Sequence, residues 1–484
     1  MKTPIEVCII GAGITGLNAL VVATEYLSPG DKVVLVDSRR RSGGMWVDTY
    51  DYVRLHQPHP IFTAGNIPWT LDRPADYLAT KSEVLTHLEH CLDVAKSRVQ
   101  VDERFGWSYE SHKDGGDHVR VTLRSPDGRT EEIVTKRLIK ALGHRVTPND
   151  PLVTSSRQVR SITPESLDLA AVGASAEPIW VIGSGKTAMD TAHALITALP
   201  RREINLVAGS GTYFSRRESF FPKGAKRWWS GTPINSMLRE LGRRFDGENE
   251  VEVRHWFRST YGTGPLEEAT DSFSAYLSDA ECAVIRSGLH HVEPGYFADV
   301  VDTADCPQLV FRSGEARSIE PGTWIVNCTG SLLRTAHPYE PFVSAGGRVL
   351  SIQMRSSVTG PFTSFAGYYL THLMFRDKLE SAGLYELDVE DLHTKATDAV
   401  LFASVSVTML NLGKISKLLP PKVITGCGLD FDRWYPLPRR LAGVVGFLRT
   451  QKSDGAHHRQ TLATIKRRYD VRCGPLEAAS LTNR

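Results

Sequence analysis

No two cysteines in this chain stand as CxxC, and none falls in a Cys/His cluster with metal-ligand spacing. The seven present (Cys8, Cys91, Cys282, Cys306, Cys328, Cys427 and Cys473) are an odd number scattered over 484 residues. That pattern leaves no basis for a disulfide framework, a zinc ribbon or an iron–sulfur cluster, and it predicts a reducing, cytoplasmic setting. Net charge is nearly absent too: 57 Lys and Arg against 55 Asp and Glu leave +2, which gives no electrostatic case for nucleic acid. No apolar run reaches the roughly 20 residues that cross a bilayer. The longest uncharged stretch, Ala399 to Gly413, is expected to form a buried or interfacial helix. His290 and His291 are adjacent, so on a strand they would face opposite ways; without a third ligand no metal site is expected. The opening residues MKTPIEVCII read as the start of a strand and not as a signal peptide.

The chain does hold 40 glycines and an ordinary hydrophobic fraction of 41%, enough for two or three packed cores. Two of the glycine clusters carry chemistry. The strand pattern around Val7, Ile9 and Ile10 runs into Gly11-Ala12-Gly13-Ile14-Thr15-Gly16 and then into the helical pattern LNALVVATEYL. In such a turn the first glycine bends tightly, the second lets backbone approach a pyrophosphate, and the third lets helix pack on strand. A second strand, KVVLVD, ends at Asp37, 21 residues past Gly16, where a carboxylate can take the hydroxyls of an adenosine ribose.

The same unit recurs at IWVIGSGKTAMD, where Gly183-Ser184-Gly185-Lys186-Thr187-Ala188 is a GxGxxA variant between a strand and a helix. The cluster GSGKT imitates an ATPase loop, but GxxxxGK[ST] requires a glycine at Trp180. Laying the two units over each other puts Gly209 where the first has Asp37. The second copy therefore lacks the ribose acid, and Arg216 and Arg217 follow shortly after. Guanidinium groups in place of a carboxylate suit a ribose bearing a 2′-phosphate. The first turn thus reads as an FAD site and the second as an NADPH site.

Two dinucleotide sites imply a hydride passed from nicotinamide to flavin. The segment SRRRSGGMWVDTYDYVRLHQPHP after the ribose acid contains no cysteine, so thiol relay at that position is excluded. The order GAGITG, Asp37, Gly43-Gly44-Met45-Trp46, Tyr52 to Pro58, IGSGKTAMD and Ser215-Arg216-Arg217 resembles the flavin-containing monooxygenase family, over roughly residues 5 to 375. The resemblance implies that Gly43, Gly44, Met45 and Trp46 line the flavin. It also implies that Gln57 sets an amide between flavin and nicotinamide, with His56 as the rival catalytic candidate. Leu142-Gly143-His144 and Cys328-Thr329-Gly330 look like the two crossings between its domains. The chain departs from the family at Gln158 to Pro164, where Arg160 replaces an expected histidine.

The expected fold class is therefore α/β: an FAD domain from residues 1–150 and 325–400, an inserted NADPH domain over 151–324, and a helical C-terminal extension over 401–484. The aromatic and charged stretch 220–305 is expected to cover the active site. The helix pattern from Thr363 is expected to pack under the flavin. The implied activity is an NADPH-dependent monooxygenase working through a C4a-hydroperoxyflavin on a small organic substrate and O2, with a homodimer possible. An FAD dehydrogenase or oxidase without oxygen insertion, and a redox-sensing flavoprotein signalling through its basic C-terminus, share both turns. Residues 436 to 473 carry nine Lys or Arg against two Asp or Glu, read as a solvated basic surface.

Overall fold

The computed structural model describes residues 5–143, 148–330 and 337–476; His144 lies outside them. The fold is α/β, with two Rossmann-type sheets and a helical C-terminal region. Val7, Cys8 and Ile9 are fully buried in the strand Ile5–Ile10. Apolar residues on both faces are what a central parallel strand covered by helices on each side requires. This strand pairs in parallel with Lys32–Asp37 on one flank and Thr130–Ala141 on the other. Gln100–Phe105 extends the first flank, and the antiparallel strands Val119–Arg124 and Ser108–Asp114 extend the second. The sheet gains a seventh strand from far along the chain, because Val349–Ile352 pairs in parallel with Leu138 to Ala141.

The second sheet has five parallel strands in the order His291–Pro294, Ile204–Gly209, Ile179–Ile182, Trp324–Asn327, Arg160–Ile162. The chain thus leaves the first sheet after Ala141, builds the second between residues 160 and 327, and rejoins the first at Val349. The segments that carry it across are the two the sequence marks, at Gly143 and at Thr329-Gly330.

The stretch 220–305 and the C-terminal region do not form separate additions. The helices Ile234–Arg244 and Glu250–Tyr261 share one hydrophobic core with the helix Thr397–Leu418 and with Trp434, Leu462 and Ile465. Phe245 meets Phe402 with ring centroids 5.4 Å apart. The Trp434 indole donates to the Pro222 carbonyl at 3.0 Å, and the Tyr435 hydroxyl donates to Phe220 at 2.7 Å. Each fully buried aromatic or aliphatic side chain contributes about 1.5–3 kcal/mol, so neither half would keep this core without the other. The helix Thr397–Leu418, at 22 residues, is long and apolar enough to cross a membrane by length and composition, yet 67% of its apolar window is buried against these neighbours.

Candidate functional site

The two glycine turns repeat in geometry as well as in sequence. Gly11 has φ +102° and Gly183 φ +119°, a region in which only glycine is unstrained. A Cβ on Gly11 would lie 2.5 Å from the Ala141 carbonyl oxygen, and one on Gly183 would lie 2.9 Å from that of Cys328. Each first glycine is therefore wedged against the segment where the chain changes sheets. The Gly11 amide donates to Val36 at 2.7 Å and the Gly183 amide to Val207 at 2.9 Å, so each turn is also pinned to the neighbouring strand.

Both turns open a helix whose first amides lack a side-chain cap. Gly13 starts Ile14–Ala23, and Gly185 starts Lys186–Ala198. The helices after Thr80 and Ser278, by contrast, are closed by reciprocal capping boxes with the glutamate three residues on, Glu83 and Glu281. Uncapped N–H groups at a glycine turn, with the helix dipole behind them, fit a pyrophosphate.

At the first turn Asp37 is 5% exposed. Its carboxylate accepts from the Ala12 amide at 2.7 Å and the Arg39 amide at 2.8 Å, and each oxygen keeps a lone pair for a ribose hydroxyl. The Gly43 amide donates to the Ala12 carbonyl at 2.9 Å. A Cβ on Gly44 would stand 2.7 Å from the Gly13 Cα, so this second glycine loop lies directly on the first. Met45 is 38% exposed, and Trp46 meets Phe62 edge-on at 5.9 Å. Ile14 is half-buried on the first core. From the far side the helix Thr363–Phe375 arrives: Thr363 and Thr15 share a hydrogen bond of 3.1 Å, and Gly367 sits against the Thr15 carbonyl. A Cβ on Gly143 would meet both threonine hydroxyls at 3.6 Å.

Gln57 is one of several buried polar residues left with an unpaired atom among the described residues. It is buried, and its Oε1 has no hydrogen-bond partner. An orphaned buried amide oxygen costs about 1–3 kcal/mol, a cost that a bound group offering a donor would remove. Its neighbour His56 is half-buried, and its Nδ1 accepts from the Tyr276 amide at 3.4 Å. Burial, helped by the charges of Lys186 and Arg217, holds its pKa down at about 3. His56 is therefore neutral at physiological pH and too weakly basic to collect a proton there, which argues against the catalytic-base role that the resemblance left open.

The two dinucleotide units are latched across this point. Tyr50 donates to Asp190 at 2.9 Å, and Tyr52 shares a 2.7 Å hydrogen bond with Thr191, both on the helix of the second turn. Lys186 is paired with Asp190, so its charge is already compensated. Thr187 contributes its carbonyl to Thr191 at 2.8 Å. Between the loop Tyr52 to Leu55 and that helix lies a cavity of about 390 Å3, lined by Arg54, Lys186, His193, Arg217 and Glu281 among others. At the second crossing Thr329 bonds Asn327 through both its amide and its hydroxyl, and Gly330 faces Asn149.

Arg216 and Arg217 stand elsewhere than the sequence predicts. Arg217 reaches back to the first unit, donating to the His56 carbonyl at 2.8 Å and to both oxygens of Glu281 at 2.7 and 3.2 Å. Arg216 pairs with Asp279 at 3.1 Å and with the Gly262 carbonyl. Both guanidinium groups are engaged by carboxylates at the start of the helix Asp279–Gly288, not by the end of the strand Ile204–Gly209. What stands at that strand end instead is Asp271, hydrogen-bonded to Ser210, together with Tyr296, whose hydroxyl donates to Ser210 at 3.1 Å and whose ring lies on Gly209. The Arg312 guanidinium lies 5.5 Å above that ring. Ser184, inside the turn, joins the group through a 3.1 Å bond to Thr212. No local signal marks these residues, because Asp271, Tyr296 and Arg312 come from three different strands or loops. His290 spends its Nδ1 on the Ile204 amide at 3.3 Å.

Two glycine-turn units in this order, joined by two crossings, define the class: a flavoprotein oxidoreductase that uses a pyridine nucleotide. In agreement, residues 5–220 match the family described as pyridine nucleotide-disulphide oxidoreductase, a stretch that holds both turns. Among solved structures the chain is similar to a double mutant of the flavin monooxygenase of Stenotrophomonas maltophilia, at 13% identity and TM-score 0.49, covering 78% of this chain and 99% of that one. It is also similar to S-allyl-L-cysteine S-oxygenase of Allium sativum, at 12% identity and TM-score 0.47, covering 96% and 98%. A third is the bacillithiol disulfide reductase of Bacillus cereus, at 12% identity and TM-score 0.44, covering 77% and 99%. No curated protein matches the sequence.

Proposed function

We propose that the chain is an FAD-dependent, NADPH-consuming monooxygenase acting on a small organic substrate with O2. The observation that carries the reading is the buried, unpartnered Oε1 of Gln57, at the seam between two uncapped glycine turns. Bound there, a flavin would accept hydride from the nicotinamide and activate oxygen. The chain's own residues bind and shield: Gly11, Gly13, Gly16 and Asp37 hold the flavin dinucleotide, with Gly43, Gly44, Met45, Trp46 and Gly143 around it. Gly183, Ser184 and Gly185 hold the pyrophosphate of NADPH. Gln57 supplies an amide that hydrogen-bonds without titrating. Arg217 acts as a positioning residue, because it grips the carbonyl of the residue preceding Gln57. Neutral His56 adds no charge beside Gln57.

The 2′-phosphate contact is assigned to Arg312, whose guanidinium has no carboxylate partner among the described residues, and not to Arg216 or Arg217, which do. Asp271 opposes it. Arg312→Ala is expected to lower the ratio of kcat/KM for NADPH over NADH by about tenfold, the worth of one charge-assisted hydrogen bond, and Asp271→Asn to raise it. A ratio unmoved by Arg312→Ala but moved by Arg217→Ala would restore the earlier assignment.

The activity is tested by reducing the flavin anaerobically with NADPH and admitting isotopically labelled O2 over a panel of amines, thioethers and ketones. Incorporation of one labelled oxygen atom into a product is expected. Recovery of all consumed oxygen as hydrogen peroxide with every compound would replace the monooxygenase with an oxidase or dehydrogenase.

A further inference from the structure

We propose that the first half of the helix Leu437–Tyr469, with the loop 223–229, docks the protein onto an anionic lipid bilayer. The helix exposes Leu437, Leu441, Val444, Val445 and Leu448, each between 45% and 60% accessible. Their spacing of three and four residues puts all five on one face. Single exposed apolar residues are ordinary, but a continuous stripe over three turns is not. The opposite side of the same turns is occupied: Gly446 lies against Arg239 and Gly443 faces Ser236, both on the helix Ile234–Arg244. The stripe therefore points away from the protein.

Beside the helix start lie Trp228 and Trp229, 56% and 72% exposed. Their loop is tied to the helix by Arg439, which donates to the Arg227 carbonyl at 3.1 Å and to the Gly231 carbonyl at 2.7 Å. Tryptophan is the side chain best suited to the boundary between headgroups and acyl chains.

Charge decides the occupant. There is no acidic residue between Asp432 and Asp454. Lys223 and Arg440 have carboxylate partners, at Asp76 and Asp430. Among the described residues Lys226, Arg227, Arg449, Lys452 and Arg459 have no ion-pair partner, and all five are exposed. A second copy seated on this face by a twofold axis would set these cations against their own kind. A bilayer containing anionic lipid presents the complementary charge around an apolar interior, the arrangement that holds an interfacial amphipathic helix. The helix lies on the surface rather than crossing it, since its other face is packed. The inference is independent of the redox reading.

The full-length protein is mixed with vesicles of phosphatidylcholine alone or of phosphatidylcholine with phosphatidylglycerol, and the bound fraction is measured by co-sedimentation. Binding to the anionic vesicles is expected to exceed that to neutral ones by about tenfold and to fall with added salt. The double variant Leu441→Asp/Val445→Asp, and separately Trp228→Ser/Trp229→Ser, are expected to abolish or sharply weaken it, while far-UV circular dichroism and the melting temperature stay those of the wild type. A wild type that remains in the supernatant with anionic vesicles overturns the proposal, as does wild-type binding by both variants. So does a wild-type dimer in solution that Leu441→Asp/Val445→Asp converts to monomers, for then a second copy covers the stripe.

Discussion

Gly11→Ala is expected to leave the purified protein with less than about a tenth of the wild-type flavin absorbance, because the substitution both strains the backbone and moves the glycine turn. At φ +102° a side chain is strained before any contact is considered, and its Cβ would also stand 2.5 Å from the Ala141 carbonyl oxygen. That oxygen belongs to the end of a central strand paired on both flanks, with Ile5–Ile10 and with Val349–Ile352, so it cannot recede; the turn must open instead. Gly16, whose Cβ would overlap the Gly11 carbonyl at 1.7 Å, ties the helix to the same turn. Two controls separate folding from binding. Gly30→Ala meets nothing within 4 Å and should be neutral. Gly185→Ala also meets nothing within 4 Å, so it should fold and keep its flavin. Its Cβ would intrude only on the pyrophosphate of the nicotinamide dinucleotide, raising KM for NADPH. Wild-type flavin content in Gly11→Ala would dismiss the first turn as a cofactor site.

Glu281→Gln is expected to destabilise the fold by about 3 kcal/mol at neutral pH and to slow flavin reduction by NADPH. Burial alone would raise the pKa of Glu281. The charge and hydrogen bonds of Arg217, with those of Ser278, override it and hold the carboxyl at about 2, against 4.5 for a free side chain. A depressed folded-state pKa means that the stabilisation is complete above about pH 4.5 and is lost as pH falls toward 2. Urea unfolding across that window should therefore show a steeper decline in the wild type than in Glu281→Gln, which keeps only the decline due to other depressed carboxylates such as Asp102 and Glu250. The kinetic effect has a separate cause. Without its partner, Arg217 is left charged at 12% exposure and loosens its grip on the His56 carbonyl, and with it the position of Gln57. Equal stability of variant and wild type at pH 7 would show that the pair contributes nothing net.

Much of this molecule is local in origin and therefore legible in the chain. Strand, glycine turn and helix at residues 5–23 and 179–198 are specified within some twenty residues each, by apolar periodicity and by backbone conformations that only glycine adopts freely. The duplication and the crossings near Gly143 and Thr329-Gly330 follow from the same short-range signals. Asp37, proposed to hold the ribose, is legible because it ends the strand adjacent to its own turn.

Three features were beyond that reach. Arg216 and Arg217 follow the second turn in sequence, but their charges go to Asp279 and Glu281, in the first turn of a helix some sixty residues further along the chain. The carboxylate missing at Gly209 is replaced by Asp271, carried in by the strand Asp271–Leu277, which pairs with Thr212–Arg216. The C-terminal helices do not extend the fold so much as complete the core of residues 234–261. The sequence by itself determined where phosphates can be cradled, because that depends on a few consecutive backbone angles. Which charged side chains surround each cradle, and which face the last helix leaves open, only the tertiary structure decided, because those depend on pairings between segments tens to hundreds of residues apart.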